Sequence, residues 1–177
     1  MTIQSNTAPQ DKDDRIGVIN KFLYLDGNIV RYKAFPISKV KSKRNVGDEV
    51  YCSINNNGYY QVCFGGIQMF LHVVIFALSK GRMPYHLVDH INGDKSDNRP
   101  SNLRECLRSE NNWNEGVRKN NKSGFKNVRW HNQRGKWDVS IRTKYGRLSF
   151  GLYEDIELAG LVAEAAREKY HGEYARS

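Results

Sequence analysis

Three cysteines, Cys52, Cys63 and Cys106, stand among 177 residues, and none has CxxC spacing. An odd, scattered set argues against a disulfide framework and against a structural zinc site, and it suits a reducing compartment. Long hydrophobic runs are equally scarce. The longest, around Leu71–Leu78, falls far short of the ~20 apolar residues of a membrane-spanning helix. The first fifteen residues, MTIQSNTAPQDKDDR, have no apolar centre and do not read as a secretory signal. The expectation is a cytoplasmic protein with neither a membrane nor a small-molecule cofactor among its partners. Hydrophobic residues make up 39% of the chain, which fits two modest cores better than one large one.

Acidic residues are nearly missing from one stretch. Between Arg118 and Arg147 there are ten Lys/Arg and one acid, Asp138, a surplus of nine that equals the net charge of the whole chain, +9. Charge concentrated in this way favours a polyanionic partner, nucleic acid first among them. The blander reading is a solubilising face. A membrane surface fits less well, because the stretch alternates like strands and is not an amphipathic helix.

The pattern along the chain is α+β: small N-terminal hairpins, a compact central motif, then a three-stranded antiparallel sheet packed on one helix. Residues 1–15 are polar and are expected to be a disordered tail. From Ile16 to Phe70 short strands alternate with turn chemistry. Phe22–Leu25 and Ile29–Phe35 flank Asp26-Gly27-Asn28, and Val50–Ile54 and Tyr59–Phe64 flank an Asn-rich turn, with Ile67–Phe70 beyond Gly65-Gly66. Leu71–Lys80 reads as a buried helix ended by Gly81, although so apolar a run could also be a strand. Leu87–His90 is a predicted strand, NGDKSDNRPS an ordered loop, and Glu110–Glu115 a helical turn capped by Ser109. Residues 116–124 have linker composition. Beyond them, strands at Phe125–Trp130, Lys136–Thr143 and Arg147–Tyr153 precede a helix from its cap Asp155 to His171. Leu158, Leu161, Val162, Ala165 and Ala166 form one helical stripe, which Val128, Val139, Ile141, Leu148, Phe150 and Leu152 can face. The other side of the sheet then carries Asn127, Arg129, Ser140, Arg142, Arg147 and Ser149. The domains expected are 16–115 and 125–177, joined by 116–124.

The chemistry is concentrated in VDHINGDKSDNRPSNLRECLRSENNWN. Hydrolysis of a phosphodiester needs a deprotonated water, charge neutralisation on the phosphoryl oxygens and help for the leaving oxygen. A neutral imidazole can take the proton, and a hard divalent cation on oxygen ligands can supply the charge. Asp89, His90, Asn102 and Asn111 offer these groups. A Ca²⁺ loop of the EF-hand type does not fit, since Ile91 and Gly93 fall where oxygen side chains are required and Pro100 takes the final acidic place.

The words V-D-H-I-N-G-D, S-N-L-R and S-E-N-N closely resemble the HNH homing endonucleases of phages and group I introns, whose fold is the ββα-metal finger. The resemblance implies that His90 is the general base and that Asn102 holds the loop and the His90 ring. It further implies that Asp89 and Asn111 ligate one Mg²⁺ (or Mn²⁺), and that a phage-encoded protein works in a bacterial host. The lead-in NNNGYYQVCFGGIQMFLHVVIFALSKGRMP looks like the family's hairpin and His-Arg helix, but Val73 replaces the arginine, and His72 is read as structural before catalytic. The segment from Ser123 to Gly172 resembles the plant APETALA/ethylene-response-factor DNA-binding domain through V-R, G-K-W, I-R and AEAAREKYHG. Its matching contact positions are Asn127, Arg129, His131, Lys136, Trp137, Ser140 and Arg142, with Trp137 equally suited to the core. Arg118, Lys119, Lys126, Arg134, Lys144 and Arg147 complete the expected DNA-binding set. The function expected is metal-dependent nicking of double-stranded DNA by a monomer or weak homodimer. A DNA-binding regulator with a silent centre, a junction resolvase or an RNA nuclease are the rivals.

Overall fold

The computed structural model describes residues 12–35 and 44–176. The expected polar tail lies outside these residues up to position 11, as does the basic run Lys39–Arg44 except for Arg44. From Lys12 the chain is helical: α1 (Lys12–Phe22) takes in the last four residues of the expected tail and the start of the segment expected to form short strands. Ile16, Ile19 and Phe22 recur every third residue, and Ile19 and Phe22 are buried in the first core. Tertiary packing decided the outcome against local preference.

The chain forms two compact units, Met1–Glu105 and Cys106–Ser177. In the first, β1 (Leu23–Asp26) and β2 (Ile29–Tyr32) pair antiparallel across a two-residue Gly27-Asn28 turn, as the turn chemistry predicts. A three-stranded sheet follows, ordered β3 (Cys52–Ile54), β4 (Tyr60–Phe64), β5 (Ile67–Phe70). α2 (Leu71–Lys80) is a helix, and Gly81 ends it in the left-handed region at φ 68°. Its Val74, Ile75 and Ala77 join Val62 and Phe64 of the sheet and Leu23 and Val30 of the hairpin in one core. β6 (Leu87–His90) and β7 (Leu103–Cys106) form a two-stranded sheet, and the ordered loop between them carries the motif.

In the second unit α3 spans Arg108–Asn114, earlier than the helical turn expected from a Ser109 cap. Glu110 accepts the Leu107 N–H at 2.7 Å and closes its first turn. The 116–124 segment lies inside this unit. The sheet is ordered β10 (Gly146–Tyr153), β9 (Lys136–Thr143), β8 (Val128–His131), all antiparallel, with α4 (Ile156–His171) packed on it. Asp155 caps α4 by accepting the Leu158 N–H at 2.9 Å.

Two details of this unit differ from the expected faces. Ala159, Gly160, Ala163 and Ala166 meet the sheet, while Leu158 and Leu161 are exposed. Small residues let the helix approach closely: a Cβ on Gly160 would lie 2.5 Å from the Phe125 ring, and the bulky leucines are turned outward. The register of β10 also shifts between Ser149 and Gly151. This β-bulge reverses the two-residue alternation, so Leu152 pairs with Asp138 on the polar face instead of facing α4.

Candidate active site and basic sheet

Asp89 and His90 close β6, and both are buried, at 8% and 3% exposure. Successive strand residues point to opposite sides, and their partners differ accordingly. The Asp89 carboxylate accepts from Arg104 Nε at 3.3 Å and Nη2 at 3.2 Å, an ion pair with little solvent on either side. His90 Nε2 lies 3.1 Å from Asn98 Oδ1. The Asn98 amide nitrogen donates to the carbonyls of Ser96 at 3.1 Å and Lys95 at 3.5 Å, so the oxygen is the atom turned to the ring. An amide oxygen only accepts. A His90 that pairs with this oxygen donates from Nε2.

The loop after His90 is held by side chains. Asn102, buried, accepts the Asn92 N–H at 3.0 Å and donates to Asn92 Oδ1 at 2.9 Å and to the Asp97 carbonyl at 2.7 Å. Its own carbonyl receives the Ile91 N–H at 2.8 Å. Asp97 in turn receives Arg99 Nε and Nη2, both at 2.7 Å, and Asn92 Nδ2 at 2.9 Å. The Arg99 guanidinium foremost holds the Asp97 carboxyl down to about 2. Asn102 grips the loop, and the side chain 3.1 Å from His90 Nε2 is that of Asn98. Asn98 was missed because it is one polar residue among many in an Asn/Asp-rich run; its signal was its position eight residues after His90. Arg104, in the S-N-L-R word, was missed as the partner of Asp89.

Behind His90 stands His72, 6% exposed on the first turn of α2, with ring centroids 5.0 Å apart. Burial, and then the neighbouring His90, push the His72 imidazole down to about 4, so it is neutral near pH 7. Asn111, the other expected metal ligand, is on α3 in the second unit, half-buried. Among the described residues no group of three or more His, Cys, Asp or Glu side chains is arranged to hold a metal ion. The oxygen donors at the motif are carboxylates and amides. That set fits a hard cation that keeps waters and binds together with substrate phosphate oxygens.

The basic sheet has an internal anion. Asp138, buried at 7% exposure, sits opposite Arg129 in the β8–β9 register. It accepts from Arg129 Nε at 2.7 Å and lies 3.7 Å from Arg147 Nη2. Arg147 also donates to Ser140 Oγ at 2.6 Å, and Lys136 pairs with Glu154 at 3.1 Å. Arg142 pairs with Arg147 in the β9–β10 register. Asp138 thereby orients two arginines across one face, a role that the single acid in a basic stretch could have signalled. Arg118, Lys119, Arg134, Arg142 and Lys144 are exposed, and His131 is half-buried at the end of β8. Lys126 is turned inward: its ammonium donates to the carbonyls of Trp113 at 2.6 Å and Arg176 at 3.2 Å, and burial lowers it to about 8. Asn127 adopts φ 69°, and its carbonyl accepts the Ser140 N–H at 3.2 Å. Trp137 packs on the small core and meets the half-exposed Trp130 edge to face at 4.9 Å.

No helix of the described residues is long and apolar enough to cross a membrane. No solved structure is significantly similar to the chain. A curated relative, "Protein 3.8" of Escherichia phage T7, is 29% identical over 106 residues, which is 59% of this chain and 87% of that protein. The family model for HNH endonucleases matches residues 69–113, so the strand end, loop and helix described above constitute an HNH endonuclease domain.

Proposed function

We propose that this protein is a metal-dependent DNA endonuclease of the phage and intron homing type, which nicks double-stranded DNA. One observation carries the reading: within the HNH segment, a buried imidazole at the end of β6 is held at Nε2 by Asn98, 3.1 Å away, beside a loop that Asn102 grips. His90 activates the nucleophile, Asn98 and Asn102 hold the ring and the loop, and Arg104 orients Asp89. Asp89 and Asn111 are the residues that would hold a single Mg²⁺ or Mn²⁺. When bound, such an ion supplies positive charge to the phosphoryl group and the departing oxygen. The C-terminal sheet would hold the duplex in the manner of an APETALA-type domain. Arg129, Arg142 and Arg147 would face the DNA, with Arg118, Lys119, Arg134 and Lys144 on phosphates. Lys126, turned inward, leaves this set.

A second reading, a DNA-binding protein with a silent centre, is favoured by one feature. Arg104 already neutralises Asp89 and competes with a cation for it. Supercoiled plasmid incubated with Mg²⁺ separates the two. The proposal expects nicked circles that disappear with chelator and with His90→Ala; binding without cutting on duplex, junction and RNA substrates would support the silent reading.

A further inference from the structure

We propose that His72 is a positioning residue which, with Tyr59 and Phe70, forms a seat of rings that fixes the plane of the His90 imidazole. The inference rests on the reading of His90 as general base, and it assigns the N-terminal hairpins a part in the reaction. His90 meets His72 edge to face, at 5.0 Å between centroids and 61° between planes. Phe70, the last residue of β5, stacks on His72 at 5.4 Å and 20°. Tyr59, just before β4, lies 5.4 Å from His72 and 6.2 Å from His90. The turn before β4 and the first turn of α2 thus place two rings against His90, and the end of β5 backs His72 with a third.

The hydrogen bond to Asn98 holds His90 at Nε2. Rings packed against the imidazole add a steric restraint on rotation about its Cβ–Cγ bond, because a turn of the plane would drive its edge into His72 or Tyr59. The seat is also tied to the motif loop. Lys95 Nζ lies 4.3 Å from the Tyr59 ring centroid and donates to the Asn57 carbonyl at 2.9 Å. The loop that supplies Asn98 is therefore latched to the hairpin that supplies Tyr59. His72, kept neutral by burial, places no second positive charge beside His90 when His90 takes the proton from water. Its role is orientation; it touches no reacting atom.

His72→Phe keeps a ring at the position, and His72→Leu keeps comparable bulk without a ring plane. Both are compared with wild type in single-turnover plasmid nicking with Mg²⁺, and the His90 ring dynamics of all three are followed by ¹³C relaxation. The expected result is that His72→Phe retains most of kcat, while His72→Leu loses about tenfold, the lower range for residues that orient a working ligand or base. KM is expected to stay within twofold, with a His90 ring that is rigid in the first variant and mobile in the second. Equal kcat and equal ring order in the two folded variants would overturn the proposal, as would a loss confined to KM. If wild type cuts nothing, the reading of His90 as base fails, yet the ring dynamics still decide whether the seat exists.

Discussion

Asn98→Ala removes the acceptor 3.1 Å from His90 Nε2 and the two amide donations that tie Asn98 to the loop. The first loss removes the acceptor that favours a proton on Nε2. The second loosens residues 95–98. A hydrogen bond of this kind contributes about 1 kcal/mol net; three, all partly exposed, bound the stability cost at roughly 3 kcal/mol. Catalysis is expected to suffer more than stability, because the preference for the Nε2-protonated ring and the order of the loop beside it are lost together. Removal of such an orienting partner typically costs about 10–100-fold, and the drop should fall on kcat, since Asn98 holds the base and not the DNA. Quantified conversion of supercoiled to nicked plasmid under single-turnover conditions measures it. Asp97→Ala is the control: it breaks the ties to Arg99 and Asn92 in the same loop and leaves the pairing of His90 with Asn98. Folded Asn98→Ala cutting at the wild-type rate would refute the tautomer argument, and equal losses in both variants would reduce it to loop order.

Stability should fall on acidification partly through His72. Its folded value, about 4, lies below the ordinary histidine value, so the unfolded chain binds the extra proton. The contribution is complete above about pH 6.5 and is lost as pH falls from there toward 4, amounting to about 3 kcal/mol at most. Melting curves across that range should be flatter for His72→Phe than for wild type, and parallel curves would contradict the assignment. Arg104→Ala removes the ion-pair partner of a buried carboxylate and should destabilise by up to about 3 kcal/mol, with Asp89→Asn in the same background restoring part of it; chemical denaturation reads both. DNA affinity should fall steeply with salt: if roughly six phosphates are neutralised, log K against log salt has a slope near −5. Lys126→Ala should leave that slope unchanged, because its ammonium is bonded internally.

The turn chemistry at Gly27-Asn28, the Gly81 helix stop and the Asp155 cap were legible because each rests on local backbone physics. The HNH segment was legible from the words around Asp89, His90 and Asn102, and all three lie within residues 69–113 and are buried. What escaped depends on tertiary context. α1 forms on β-branched residues because its apolar third positions pack on the core. The inward face of α4 is built mainly from alanines and Gly160, so the helical spacing of its larger apolar residues selected Leu158 and Leu161, which are exposed. The bulge at Ser149/Gly151 reversed Leu152 in a way that no strict alternation anticipates. Asn98 and Arg104 were invisible as partners because an Asn-rich loop offers many amides, and only the folded loop shows which of them reaches the ring.

Chemical rescue tests the central claim most directly. His90→Ala leaves a vacated site where the base stood, and plasmid nicking with Mg²⁺ is measured with increasing imidazole in solution. The account predicts a nearly inactive variant whose cutting rises with imidazole concentration while wild type is unaffected. A His90→Ala protein that nicks as fast as wild type without imidazole would contradict it.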